Sequence, residues 1–475
     1  MVKTTNSTMF DNFDISGIWS LADNFEEYSA GVLTYSASNN YEINLKLTDT
    51  SIYKLSEIPV IYGIASNSER ITLLNNRVIN SNIGTFGSAT IICEKIVIGP
   101  DFFGKPQESC IKKVSFSFYK LNEWMNLPIW NSDYDHSKDV YMIWHKKIPL
   151  REYRIEEIKG SLKENYVYSQ QKSIENINIS IRIENFYTLI FDNGKNLDEV
   201  YECIYKVVQF FYVLFGSELP VKFIEFEYGS INIGNKVIGK KYRMYVRQNA
   251  KVQSRKLRPY ELFPYATIAD NLSKYINNWF AFYADLETII QTYVGDLQLT
   301  SFLETQFLNA CRNVEIFHRI YLEKEKIEGP EIVFMRKKLM EIVTGAEEPV
   351  RKYFSERINY TGEETLSKRI KESLKVVPNP ILKETILYRS KSLSDSKTRF
   401  VRACVNTRNF LTHGSQDKSK YQPIFEKENL YMATKILNTI IRYFVLEKIN
   451  IDSEILEEKI LEDMNREGVS GNKLN

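Results

Sequence analysis

The run Lys397-Thr-Arg399-Phe-Val-Arg402-Ala-Cys-Val-Asn-Thr-Arg408-Asn409-Phe-Leu-Thr-His413-Gly414 gathers the side-chain types that handle a phosphodiester. Phe400, Cys404 and Leu411 fall on one helical stripe with Val401 and Val405 beside it, and Gly414 is a natural helix stop. Arg408 and His413 are five residues apart, about 140° around such a helix, so their side chains can converge only over one flank. Asn409 and His413, four apart, share that flank. Opening an RNA strand without a metal requires a proton to leave the ribose 2′-hydroxyl, a proton to reach the leaving 5′-oxygen, and positive charge against the phosphorane. His413 exchanges protons near neutral pH, at a helix end that favours a cation. Arg408 can grip two phosphate oxygens, and Asn409 can orient the phosphate or the imidazole. Arg408, Asn409 and His413 are therefore the expected catalytic set. Lys397, Arg399 and Arg402 are the expected RNA-contacting basic patch.

The chain holds four histidines, and the other three point elsewhere. Arg312-Asn313-Val-Glu-Ile-Phe-His318 repeats the Arg-Asn…His pattern with one more intervening residue. It sits mid-helix among Phe317, Ile320 and Tyr321, so His318 is expected to pack or hydrogen-bond, with Glu315 as partner. Glu315 and His318 are supporting residues at most. His136 lies in a polar loop and His145 at a strand end, without metal-ligand spacing. Gly234-Asn-Lys-Val-Ile-Gly239-Lys240-Lys241 matches a phosphate-binding loop up to its eighth position, which needs Ser or Thr and has Lys241. A strand-like segment follows it, so it reads as a turn. No metal site and no cofactor is expected.

These residues sit in a chain of 475, 43% hydrophobic and 26% charged, which excludes disorder, collagen and a small disulfide scaffold. Sixty-two basic against 60 acidic residues leave +2, so RNA contact must come from a local patch. Cys93, Cys110, Cys203, Cys311 and Cys404 are scattered, which suits a reducing compartment better than a zinc site or a disulfide framework. The polar N-terminus has no signal-peptide pattern, and the longest apolar stretch, Val207 to Gly216, is far short of the roughly 20 residues a membrane span needs. A cytoplasmic protein away from membranes is expected.

Up to about residue 250, short alternating runs bounded by turn residues predict antiparallel strands: around Gly31–Tyr35, Tyr41–Leu47, Ala89–Ile98, Val114–Tyr119, Ile179–Ile183, Tyr187–Phe191, Val221–Tyr228 and Tyr242–Val246. One helix, Leu197–Phe215, interrupts them and stops at Gly216. From Pro264 the period becomes helical, with helices expected at Ala269–Val294, Thr300–Lys324, Pro330–Val343, Glu364–Lys375, Lys397–His413 and Lys427–Lys448. The fold class is α+β: a β-rich sensing or regulatory domain over 1–258, a helical bundle over 259–450 and a charged frayed helix or tail over 451–475. Gln248–Arg258, with four cationic residues, reads as the exposed connection.

Arg408-Asn409-Phe-Leu-Thr-His413 resembles the RNA-cleaving signature of HEPN domains. Gly17-Ile-Trp19, Gly31-Val-Leu-Thr-Tyr35 and Phe116-Ser-Phe-Tyr-Lys-Leu-Asn-Glu-Trp124 resemble the β-rich domain of ApeA-type abortive-infection proteins. In that family such a domain precedes a helical bundle. The bundle here is similar in its Phe307-Leu-Asn-Ala…Glu315-Ile-Phe-His318-Arg319 helix and its Arg408-Asn409…His413-Gly414 ending. The likeness runs from about Phe13 to Lys448. It implies an antiphage endoribonuclease that arrests the infected cell by cutting RNA, tRNA included, on a phage trigger the sequence does not identify. It also implies a homodimer that brings two motifs together, which suits a reaction of two proton transfers and one histidine per motif. Two rival readings remain: a non-catalytic dimerisation module carrying a recognition domain, and the partner of a nucleotidyltransferase.

Overall fold

The computed structural model describes residues 7–23, 25–48, 56–82, 87–104, 108, 110–172, 179–234, 236–249, 263–298, 301–323, 330–358, 365–385, 390, 392–414, 418–466 and 468. The chain divides into two units, Met1–Ala281 with Leu297–Leu299, and Phe282–Asp296 with Thr300–Asn475.

Period-two alternation buries one face of each strand, and the first six strands solve that demand by closing on themselves. They are β1 (Phe13–Ser20), β2 (Ser29–Ser36), β3 (Glu42–Thr48), β4 (Glu57–Ala65), β5 (Arg70–Asn82) and β6 (Ser88–Gly99). Their order is β6-β3-β2-β1-β4-β5, all antiparallel, and β5 pairs back onto β6. Closure leaves no strand edge open to another chain. Trp19, Leu33, Ile43, Leu45, Ile61 and Leu73 fill the interior without exposure. The Gly17…Gly31 signature has a steric cause: the two pair across β1 and β2, and a Cβ would come 2.5 Å from the Ile64 carbonyl oxygen at Gly17 and 2.5 Å from the Lys46 carbonyl oxygen at Gly31. The Trp19 ring lies on Gly63, where a Cβ would come 2.3 Å from a ring carbon.

The sheet continues from β6 through β14 (Lys236–Val246), β13 (Val221–Ile233), β7 (Ile111–Phe118), β12 (Ile179–Lys195), β11 (Gly160–Lys172) and β10 (Glu152–Ile155). The runs expected separately at Ile179–Ile183 and Tyr187–Phe191 are one strand, β12. A short helix, α1 (Leu121–Met125), follows β7, and β8 (Trp130–Asp135) pairs with β9 (Val140–His145) as a separate hairpin. His136 lies in that hairpin's turn and His145 at its end, where Nε2 is 3.1 Å from the Tyr166 hydroxyl. Gly234, with φ 61°, sits between β13 and β14, so the phosphate-loop lookalike is a hairpin turn.

Helix α2 (Leu197–Phe215) is set by its ends. The Asn196 side chain accepts from the Glu199 amide while the Glu199 carboxylate accepts from the Asn196 amide, and Gly216 turns left-handed at the stop. It presses onto this part of the sheet through Phe211, whose ring lies 4.9 Å from Phe118, 5.2 Å from Trp124 and 5.6 Å from Tyr187. The Trp124 indole N–H donates to the Phe263 carbonyl at 2.7 Å. Phe210 packs on Trp279 at 5.7 Å.

Helix α3 (Tyr265–Ile268) and the start of α4 (Leu272–Gln298) belong to the first unit; α4 from Phe282 to Asp296 belongs to the second. The second unit continues with α5 (Leu303–Phe317), which runs into a π-helical turn at His318–Leu322. It is followed by α6 (Pro330–Thr344), α7 (Glu348–Ile358), α8 (Leu366–Val376), α9 (Asn379–Thr385), α10 (Leu393–His413), α11 (Glu428–Lys448) and α12 (Ser453–Arg466). α5, α8, α10 and α11 make its core, with Phe317 stacked on Phe444 at 4.1 Å. Three of these helices differ from the sequence expectation, the first being α7, which occupies a stretch where none was expected. The Pro378-Asn-Pro380 break is the first turn of α9, a position that suits proline. The charged stretch after Asn450 holds α12, which buries Leu456, Ile460 and Met464 and pairs its buried Asp463 with Arg442 of α11 at 2.6 Å. Most of the cationic connection, 250–258, lies outside the described residues.

Truncating Phe211 to Ala removes the ring on which α2 meets the sheet. The expected loss is about 3–5 kcal/mol from the first unit, read as an earlier denaturant midpoint in the transition that reports β-structure by circular dichroism.

Candidate active site at the end of α10

Helix α10 is built to be buried along one side and open at its last turn. The Ser392 hydroxyl caps its start by accepting from the Asp395 amide at 3.2 Å. Ser396, Phe400, Val401, Ala403, Cys404 and Thr407 face the interior. The chain beyond α10 folds back along it: the Phe425 amide donates to the Thr407 hydroxyl at 2.8 Å and the Asn406 side chain donates to the Gln422 carbonyl at 3.0 Å. Phe425 meets both Phe400 at 5.8 Å and Phe307 of α5 at 6.1 Å. The helix stops at Gly414, φ 58°, whose amide donates to the Phe410 carbonyl at 3.1 Å. A Cβ there would meet nothing, but the left-handed backbone would strain any other L-residue.

Of the expected catalytic set, two members touch. Arg408 Nη1 donates to the Asn409 side-chain oxygen at 3.2 Å, and both residues are half-buried. The Thr412 hydroxyl is spent on the Arg408 carbonyl at 2.7 Å. His413 follows one turn after Asn409 and is exposed. The Arg408 charge reaches Cys311 on α5: burial pushes that thiol up to about 12, and the guanidinium opposes the rise. The motif thus sits where α10 crosses α5.

The expected basic patch is strung along the helix. Lys397 is eleven residues before Arg408, about 16 Å up the axis and nearly in line with it, while Arg399 lies on the opposite side. Arg399 and Arg402 are exposed. Lys397 is half-buried, and desolvation holds its ammonium below the usual range. The three cations are spread around the helix and lie outside the motif.

The second Arg-Asn…His match turns its Asn and His inward and leaves Arg312 exposed. Asn313 and His318 are both wholly buried. His318 Nε2 lies 2.8 Å from the Glu372 carboxylate, so its partner is Glu372 of α8 rather than the expected Glu315. Glu315 binds two arginines at 3.0 Å, Arg319 and the buried Arg369 of α8. Arg369 also reaches Glu323 at 3.5 Å. These ionic ties join α5 and its π turn to α8, which in turn packs on α10. Among the described residues, no group of three or more His, Cys, Asp or Glu side chains could hold a metal ion. No described helix is long and apolar enough to cross a membrane.

A closed β-barrel and its sheet extension, followed by a helical unit with Arg-Asn…His at a helix end, define a two-part protein of the HEPN class. The chain belongs to the ApeA family: residues 14–279 match the model of ApeA N-terminal domain 1 and residues 308–455 that of the Apea-like HEPN domain. The HEPN class is typically ribonucleolytic, and the family is one of antiphage defence. No curated protein and no solved structure matches the chain.

The two histidines are expected to separate by stability. His413→Ala removes an exposed side chain and should change unfolding free energy by no more than about 0.5 kcal/mol. His318→Ala strands the Glu372 carboxylate beside a cavity and should cost about 1–3 kcal/mol. Differential scanning calorimetry of the two variants beside wild type checks the contrast.

Proposed function

We propose that the protein is an endoribonuclease of antiphage defence that cuts cellular RNA, tRNA among it, at the end of α10. One observation carries the reading: of the two Arg-Asn…His sequences, one has its Asn and His locked in the interior and the other ends a well-packed helix with its histidine in solvent. In the proposed reaction the 2′-hydroxyl loses its proton to a base, the 2′-oxygen attacks the adjacent phosphorus, and the bond to the 5′-oxygen breaks as that oxygen is protonated. The products are a 2′,3′-cyclic phosphate and a 5′-hydroxyl. His413 exchanges the proton, Arg408 holds the phosphate oxygens, Asn409 orients Arg408 through their hydrogen bond, and Lys397, Arg399 and Arg402 guide the flanking strand. Among the described residues no carboxylate cluster accompanies the motif, and the nucleophile of the proposed reaction is the 2′-oxygen itself. Each motif has one histidine and the reaction moves two protons, so the active form is a homodimer through the helical unit. We assign sensing of the phage trigger to the β-rich unit and place the enzyme in the cytoplasm, with its RNA.

Sequencing of RNA ends from bacteria expressing wild type or His413→Ala tests the assignment. Discrete new ends carrying 5′-hydroxyls are expected with wild type alone. Ends that persist in His413→Ala, or that carry 5′-phosphates, contradict it. Purified enzyme should keep full activity in EDTA and lose it on a substrate with 2′-deoxyribose at the cut site.

A further inference from the structure

Alternation gives the sheet extension two faces. One carries α2, through Phe118 and Tyr187. The other, built by β11, β12, β7, β13 and β14, holds a trough of about 680 Å³, within the size range of small-molecule pockets. Strand register sets its lining in cross-strand rows, each two residues or about 7 Å from the next. The middle row runs Lys163, Thr188, Ser115, Glu225, Arg243. Its floor is short and polar: the Thr188 hydroxyl lies 2.9 Å from the Ser115 hydroxyl and accepts from the Asn165 side-chain amide at 2.9 Å. The row on one side brings Phe186 and Phe223, whose ring centroids are 6.0 Å apart. The row on the other side brings Lys113, Glu227 and Lys241. Aromatic, neutral polar and charged groups thus follow one another along the trough.

We infer that this trough binds a free mononucleotide. Charge supplies the first argument. Among the described lining residues, five cations face three carboxylates. Glu184 takes Lys222 and Glu227 takes Lys113, while Glu225 is divided between Lys241 at 3.2 Å and Arg243 at 3.5 Å. Lys163 has a looser pairing, with Glu152 outside the trough at 3.9 Å. Positive charge is therefore in excess, which suits a phosphate. The order of the rows supplies the second argument. Phe186 and Phe223 offer ring faces to a planar base. Thr188, Ser115, Asn165 and Glu225 offer hydrogen bonds to the hydroxyls of a sugar. Lys163, Lys113 and Lys241 lie beyond the rings, where the phosphate would sit. A sugar would leave the excess charge unused, and an inorganic anion would leave the rings unused. A nucleoside phosphate uses all three. The inference does not depend on RNA cleavage at α10; it gives the β-rich unit a small-molecule site of its own.

Isothermal titration calorimetry of the full-length protein tests it. The ligands are adenosine, guanosine, cytidine and uridine 5′-monophosphates, each beside its unphosphorylated nucleoside, and inorganic phosphate. At least one mononucleotide should bind about tenfold or more tightly than both its nucleoside and phosphate. Lys163→Glu reverses a charge on a partly exposed side chain, so the circular dichroism should not change. It should remove the preference for nucleotide over nucleoside and leave nucleoside binding as it was. Phe186→Ala should weaken nucleotide and nucleoside alike. Failure of all four mononucleotides to bind at millimolar concentration overturns the inference, and so does binding that both variants retain at wild-type strength. A 5′-phosphorylated oligoribonucleotide that binds through Lys163 about 100-fold more tightly than every mononucleotide also overturns it, because the trough would then hold the end of an RNA strand.

Discussion

On the proposed reading helix α10 must be buried to be positioned and bare to react, and α5, α8 and the returning chain hold it that way. Its inner face is held by Phe400, Cys404 and Thr407, and the returning chain is hydrogen-bonded onto it at Asn406 and Thr407. The outer face and the last turn are left to Arg408, Asn409 and His413. Ending the helix at a left-handed Gly414 leaves His413 exposed in its final turn.

The buried ionic layer between α5 and α8 serves the same demand from beneath. A charge pair inside a protein is costly to desolvate, and breaking one partner away costs about 3–5 kcal/mol because the other is then stranded. The Arg369–Glu315 ion pair therefore fixes the register of α8 against α5 more tightly than apolar contact alone would, and the His318–Glu372 hydrogen bond is a second tie. Since α8 also packs on α10, that register is passed to the motif-bearing helix. The interior Arg-Asn…His sequence thus contributes scaffolding.

Much of this was legible in the sequence because period is a local property. The alternation of the first half and the 3.6-residue period of the second gave the α+β division, and Gly414 marked the end of α10 on steric grounds. Elements whose apolar stripe is interrupted by charge were harder. In α12 the Leu456–Ile460–Met464 stripe is set among seven charged side chains, and Asp463 is buried because it pairs with Arg442 of α11 and with Arg466 of its own helix. Glu372 was invisible as the partner of His318, because α8 reads as a solvated face at Lys368, Arg369, Lys371 and Glu372, and nothing in spacing tells which of these turns inward. Glu315 was the nearer carboxylate in sequence, but three residues along α5 it points to Arg369 instead.

The most direct test of the account is the rate at which purified protein cleaves bulk cellular RNA when His413 is replaced by Gly, with and without added imidazole. Removing a proton-transfer group lowers the rate by about 10²–10⁴-fold. Free imidazole entering the exposed space at the end of α10 should restore part of it, in proportion to its concentration. Cleavage by His413→Gly at the wild-type rate would show that the proton moves elsewhere and that the end of α10 is not the active site.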